Sequence, residues 1–150
     1  MPSLTIPSPV GALTITETEG AITSVSWGGN HTDDTPLLRD AQTQLTAYFA
    51  GDLTDFDLPL RVAGSDLQRE VCNAMLAIPF GETRTYGDLA KDLGAPAQAI
   101  GQACGGNPIP VIIPCHRILG ANSLGGFSGG TGIETKVALL KHEGAAGLLI

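Results

Sequence analysis

Apolar and polar positions alternate through residues 3–27 (SLTIPSPVGALTITETEGAITSVSW), with breaks at Pro9-Val10-Gly11 and Glu19-Gly20. Period-two alternation of β-branched and apolar side chains between turn residues predicts a small antiparallel meander. A polar loop follows from Asn30 to Asp34, and then the period changes. Thr35 can cap a helix with Pro36 in its first turn, and Leu37, Leu38, Ala41, Leu45, Tyr48 and Phe49 recur at helical spacing until Gly51. This helix is expected to cover the sheet. Residues 52–61 (DLTDFDLPLR) read as a short extended connection.

From there the chain turns helical. Ser65-Asp66-Leu67-Gln68 has the form of a capping box, and Leu67, Val71, Ala74, Met75 and Ile78 give the next helix one apolar face until Pro79-Phe80-Gly81. Thr85 to Leu93 forms a short helix closed by Gly94, and another starts at once with Pro96 in its first turn. Helix, tight glycine turn, helix is the outline of a helix-turn-helix. The second of these, residues 96–105, is expected to expose little but small side chains: Ala97, Gln98, Ala99, Gly101, Gln102 and Ala103. Gly101 costs about 1 kcal/mol of helix propensity. Either these residues permit close packing inside the fold, or this backbone lies in a groove of DNA.

Asn107 to Pro114 is an apolar run with prolines near its ends, expected as a buried strand. Gly120 to Gly130 holds five glycines and is expected to form a hairpin or wing. Thr131-Gly132-Ile133-Glu134 has the pattern of a second capping box, opening a last helix that carries Val137, Leu139 and Leu140 and ends at Glu143-Gly144. The fold class is therefore α+β. Its boundary falls where the pattern changes, giving an N-terminal α/β domain over 1–61 and a mostly helical domain over 62–150.

Composition narrows the class. Of the 150 residues, 43% are hydrophobic and 15% charged, and no apolar run approaches the length of a membrane span of about 20 residues. The N-terminus lacks the basic start and apolar stretch of a signal peptide, and three cysteines cannot all pair, so a reducing cytoplasm is expected. The net charge of −7 argues against strong non-specific DNA affinity. Its distribution matters more: residues 1–60 hold one basic residue against eight acids, whereas residues 61–150 hold seven of each.

Candidate chemistry centres on one cysteine. Cys72 and Cys104 lie on helical patterns and read as structural thiols. Cys115 ends the apolar run directly before His116 and Arg117, which place a base and a cation beside a thiol. A metal site finds little support, because there is no CxxC and neither His31 nor His142 has zinc spacing. No local signature of a papain-like hydrolase is present. Gly125-Gly126 and Gly129-Gly130 fit no phosphate-binding loop and read as turns beside a cleft.

The segment Ile113-Pro-Cys-His-Arg-Ile-Leu-Gly120, preceded by Gly106-Asn107-Pro108, strongly resembles the active-site signature of the O6-alkylguanine-DNA alkyltransferases. Residues 78–90 (IPFGETRTYGDLA), Ala99-Ile-Gly101, Phe127-Ser-Gly-Gly130 and Leu139-Leu-Lys-His-Glu-Gly144 follow the same family's pattern, in order from about Ser65 to Gly144. The first sixty residues match only in layout. The resemblance implies a small N-terminal α/β roll, ribonuclease-H-like, followed by a winged-helix domain holding the cysteine cleft.

It also implies a one-use repair reaction without cofactor or metal. An O6-alkylated guanine, and by extension O4-methylthymine, is flipped out of double-stranded DNA, and its alkyl carbon moves to the protein's own cysteine. By this resemblance Cys115 is the nucleophile, His116 takes its proton through a bridging water, Glu143 orients the imidazole and Asn107 braces the cysteine turn. Tyr86 would donate a hydrogen bond to the guanine, Ser128 would lie near its O6, Phe127 would edge the pocket, and the main chain at Cys115 and Ile118 would meet the amino group. Thr85, Gln98, Ala99 and Gly101 would face DNA. Arg117 is expected merely to pair with a carboxylate such as Glu82. The protein is expected to be a cytoplasmic monomer with no membrane partner.

Three positions depart from the family pattern. Gln98 stands where an arginine usually enters the base stack, Cys72 where tryptophan is usual, and Phe127 where tyrosine is common. With the acidic first half, they keep two rival readings open. One is an alkyl acceptor for a small molecule or free base; the other is a non-catalytic alkylation sensor or DNA-binding module, against which Cys115 itself argues.

Overall fold

A computed structural model describes residues 1–127 and 129–145. The chain divides into two compact units, Met1–Arg61 and Val62–Ile150.

In the first unit, β1 (Ser3–Ile6), β2 (Leu13–Thr18) and β3 (Ala21–Trp27) form an antiparallel sheet in sequential order. The alternation read from the sequence therefore does produce a meander. Its register shifts between Thr16 and Glu17, and Glu19 takes a left-handed φ of 50° beside Gly20 in the tight turn to β3. Thr35 caps α1 (Pro36–Phe49) by accepting from the Leu38 amide at 3.1 Å. Leu38, Ala41, Leu45 and Tyr48 of α1 are buried, as are Leu13, Ile15, Ile22 and Val25 of the sheet. Each such large apolar side chain contributes about 1.5–3 kcal/mol on burial. Leu60 bridges Ile22, so the expected extended connection lies against β3.

The second unit consists of α2 (Asp66–Leu76), α3 (Tyr86–Leu93), α4 (Ala97–Gly105) and α5 (Ile133–Glu143), with a two-residue parallel pairing of β4 (Arg84–Thr85) and β5 (Ile118–Leu119). Gly94, in the left-handed region at φ 65°, closes α3 and lets α4 begin three residues later, producing the helix-turn-helix. Thr85 and Asp88 form a reciprocal capping box at the start of α3.

Several local expectations are corrected. Ser65 caps α2, but the Gln68 side chain does not return to it; its Nε2 instead donates to the Ala103 carbonyl at 2.9 Å and meets Cys72 Sγ at 3.5 Å, tying α2 to α4. Ala103 is accordingly buried rather than exposed. Thr131 does not cap α5: the helix begins after Gly132 at φ 76°, while the Thr131 amide and hydroxyl bond to the Thr135 hydroxyl. Residues 107–114 are not a strand but a compact buried loop, and Cys115–Arg117 is a single 3-10 turn. Among the described residues of 120–130 there is no strand, so the expected hairpin is not formed there.

Candidate active site

The loop before Cys115 is tied by one amide side chain. Asn107 Nδ2 donates to the Ile113 carbonyl at 2.9 Å, and its Oδ1 accepts from the Ile109 amide at 3.0 Å. The Ile113 carbonyl also accepts from the Cys115 amide at 2.8 Å, so the loop delivers the cysteine backbone in one position. Val111 sits inside this loop at φ 72°, a conformation that β-branched residues rarely adopt and that costs on the order of 1–3 kcal/mol. Proline on either side (Pro110, Pro114) and the Asn107 bonds narrow the alternatives.

Cys115 is 9% exposed and lines a cavity of about 390 Å³ together with Tyr86, Gly101, Cys104, Gly105, Gly126 and Phe127. The cavity's size falls within the range of small-molecule sites. The parallel pairing of β4 with β5 explains how Tyr86 reaches it, since Thr85 is registered on Leu119, four residues beyond the cysteine. A Cβ built on Gly101, Gly105 or Gly126 would meet nothing within 4 Å, so these positions leave the cavity wall open. At Gly125 the opposite holds: φ is 72° and a Cβ would come within 2.8 Å of the Tyr86 ring, so only glycine allows that approach.

Behind the cysteine lies a buried ionic group. His116 Nε2 is 2.8 Å from Glu143 Oε2, and both side chains are fully buried. Arg117 grips the same carboxylate in a fork, Nε to Oε1 at 2.8 Å and Nη2 to Oε2 at 3.0 Å, and gives Nη1 to the Ile78 carbonyl. Arg117 does pair with a carboxylate as expected, but the partner is Glu143 rather than Glu82, the example offered. Glu143 is the last residue of α5, an end of the helix that disfavours negative charge, and the forked guanidinium offsets that cost. A carboxylate can only accept, so the shared proton belongs to His116 Nε2. Nδ1 is then left with a lone pair, buried and without a hydrogen-bond partner among the described residues.

The protonation states follow from these surroundings. Burial lowers the His116 pKa against the opposing pull of Glu143, favouring the neutral imidazole that can take a proton. Burial raises the Cys115 thiol pKa; the Asn107 hydrogen bond and the Lys136 charge act to lower it. Cys104 is pushed up to about 12 by burial and by the neighbouring Cys115, so it stays a thiol near neutrality. Burial also raises the Tyr86 pKa, which keeps its phenol a hydrogen-bond donor.

Two family models match in succession: "6-O-methylguanine DNA methyltransferase, ribonuclease-like domain" over residues 3–62 and "6-O-methylguanine DNA methyltransferase, DNA binding domain" over residues 66–145. The chain belongs to the O6-methylguanine-DNA methyltransferase family. A methylated-DNA–protein-cysteine methyltransferase of Mycobacterium tuberculosis H37Rv is 45% identical over 150 residues, covering 93% of this chain and 90% of the relative. The constitutive enzyme of Bacillus subtilis is 39% identical, covering 93% of each. A crystal structure of Mycobacterium tuberculosis OGT in complex with DNA superposes with a TM-score of 0.86 at 45% identity, covering 96% of this chain and 93% of that one. The α+β arrangement, a small sheet unit followed by a helical one, is that of these methyltransferases.

Of the residues singled out in the sequence, Cys115, Tyr86, Phe127 and Gly101 meet at the cavity. His116 and Glu143 pair with each other in the buried ionic group, Asn107 ties the loop before the cysteine, and Ile118 is buried with its carbonyl held by Lys136. Thr85 caps α3, and Gln98 and Ala99 lie on the first turn of α4, Gln98 exposed to solvent. Ser128 lies outside the described residues. Sequence reasoning missed Arg117's grip on Glu143, Cys104 and Gly105 in the cavity wall, and Lys136. A lysine at an apolar-face position of the last helix was the one available signal.

Among the described residues no three His, Cys, Asp or Glu side chains form a group able to hold a metal ion, and no helix is long and apolar enough to cross a membrane.

Proposed function

We propose that this methyltransferase repairs O6-alkylguanine in double-stranded DNA by moving the alkyl group to Cys115 Sγ, once per molecule. The thiol proton passes through a bridging water to His116 Nδ1, while Glu143 stabilises the imidazolium and Arg117 holds Glu143. Sulfur then attacks the alkyl carbon; the S–C bond forms as the C–O6 bond breaks, and the electron pair returns to the purine. Tyr86 donates a hydrogen bond to that purine as its electron density rises, with Ser128 near O6, Phe127 at the pocket edge and the carbonyls at Cys115 and Ile118 toward the amino group. The product thioether has no route back to thiolate, so each chain reacts once. No cofactor or metal takes part.

The observation that carries this reading is a single one. A buried histidine, paired through Nε2 to a carboxylate and with Nδ1 unpartnered among the described residues, directly follows a cysteine that opens into a cavity of about 390 Å³. Thr85, Gln98, Ala99 and Gly101 on the helix-turn-helix form the DNA-facing side. Asn107 keeps the cysteine loop in place. The protein acts as a monomer in the cytoplasm.

Incubation with duplex carrying a labelled O6-methylguanine should label at most one cysteine per chain, and peptide mass spectrometry should place the methyl on Cys115. Turnover beyond that ratio, or label that persists in Cys115→Ala, would overturn the proposal.

The exposed, uncharged Gln98 favours one rival, in which free alkylated base is the substrate. Rates from free base and from duplex, compared over a range of salt, separate them. Equal rates without salt dependence would favour the free base.

A further inference from the structure

Lys136 on α5 has no solvent exposure. Its Nζ donates to the Ile118 carbonyl at 2.5 Å and to the Gly126 carbonyl at 3.1 Å and lies 5.9 Å from the centre of the Tyr86 ring. These bonds tie β5 to the cavity wall. They do not neutralise the charge: among the described residues no carboxylate pairs with Lys136. A buried ammonium without a counter-ion is costly, and such groups are ordinarily paired.

The other buried charges are already matched. Arg117 is taken up by Glu143, which also holds His116. The groups facing Cys115 are the thiols of Cys72 and Cys104 from α2 and α4, the Tyr86 phenol from α3 and Lys136 from α5. The amide of Asn107 adds a hydrogen bond to the thiol. Of these, Lys136 brings a positive charge that no carboxylate among the described residues balances.

We propose that the Cys115 thiolate is the counter-ion of Lys136, which makes Lys136 a positioning residue that favours formation of the reactive anion. The inference rests on the alkyl-transfer reading and deepens it. When the thiol proton moves to His116, the sulfur anion completes a charge pair with the ammonium. When the S–C bond forms and the C–O6 bond breaks, sulfur becomes neutral and Lys136 loses its partner. The Lys136 ammonium therefore has an anion beside it only before transfer. The electrostatic response is mutual: burial lowers the Lys136 pKa, while Cys115 and Cys104 act to raise it.

The test uses the full chain with Lys136→Met and Lys136→Gln, the latter keeping an N–H for the two carbonyls without the charge. Iodoacetamide labelling of Cys115, followed by peptide mass spectrometry over a pH series, reads the thiolate without DNA. Both variants should label with a midpoint moved upward by about one pH unit or more, about tenfold slower near neutrality. Methyl transfer from duplex should slow in parallel. An unchanged midpoint in a folded Lys136→Gln chain would overturn the inference and leave Lys136 a structural tie.

If neither variant folds, lysine ε-carbon NMR of the native chain and of Cys115→Ala decides the matter, since the chain has three lysines. The buried lysine should titrate at lower pH without the sulfur, and an unchanged titration would overturn the pairing. A labelling shift without any methyl transfer would uphold the charge pair while removing the repair reading.

Discussion

The two units bury their polar groups differently. In Met1–Arg61 the buried polar side chains are the hydroxyls of Ser3 and Thr14, and the ion pairs, Arg39 with Asp34 and Arg61 with Glu19, stand in solvent. In the second unit His116, Arg117, Lys136 and Glu143 are all buried, within a 28-residue stretch bounded by His116 and Glu143. Hydroxyls can satisfy themselves locally, as Thr5 and Thr14 do across β1 and β2. Charges taken from water must be paired and hydrogen-bonded, at a cost that apolar packing would avoid. The first unit thus keeps its charges in water, and the second bears the cost of burying them next to Cys115 in the chain.

The largest expected effect tests where the chemistry lies. Cys115→Ser should abolish alkyl transfer, whereas Cys104→Ser, in the same cavity, should retain it; mass spectrometry after exposure to alkylated duplex reads both. Transfer that disappears only with Cys104 would reverse the assignment.

Next comes the buried ionic group. Glu143→Gln leaves Arg117 without a counter-charge and should destabilise by about 3–5 kcal/mol in urea unfolding, the usual cost of breaking a buried pair. Arg39→Ala, which removes an exposed pair, should cost about 0–1 kcal/mol. Similar losses in both would erase the contrast between the units.

A pH series sharpens the same contrast. The His116 pKa is lowered on folding from 6.5, so the unfolded chain binds the proton more readily. Stability from this group is complete above the unfolded value and is lost as pH falls below it toward the folded value. Wild type should therefore lose more stability between pH 7.5 and 5 than His116→Gln does, and parallel profiles would contradict the burial argument.

Smaller effects follow from local bracing. Asn107→Ala removes both loop bonds and should cost about 1–3 kcal/mol, with slower transfer because the cysteine loop relaxes. Thr85→Ala breaks the capping box of α3 and should cost about 1 kcal/mol by thermal melt, with cysteine labelling by iodoacetamide nearly unchanged. A large change in labelling would mean that the start of α3 governs the cavity more than the loop does.

Much of this was legible in the chain. The 3–27 alternation, the Thr35 and Ser65 caps and the Gly94 turn mark elements because each rests on contacts between residues close in sequence. The Thr131 pattern misled for the same reason: Gly132 at positive φ moved the helix start and Thr135 captured the hydroxyl. The 107–114 run read as a strand because apolar content cannot reveal a left-handed Val111 or an Asn107 side chain reaching across six residues. A carboxylate partner for Arg117 was legible but its identity was not, because Glu143 lies 26 residues away in the chain and meets it only through the packing of α5.

By itself the sequence determined the meander, the helices and the change of character near residue 61, and it set a histidine and an arginine directly after Cys115, since these follow from short-range periodicity and a contiguous motif. Tertiary structure decided that the carboxylate beside His116 also holds Arg117, which thiol joins Cys115 in the cavity, and that Lys136 lies buried with no acid paired to it among the described residues. Coulomb energy and desolvation depend on distance and burial in space, and neither is set by spacing along the chain.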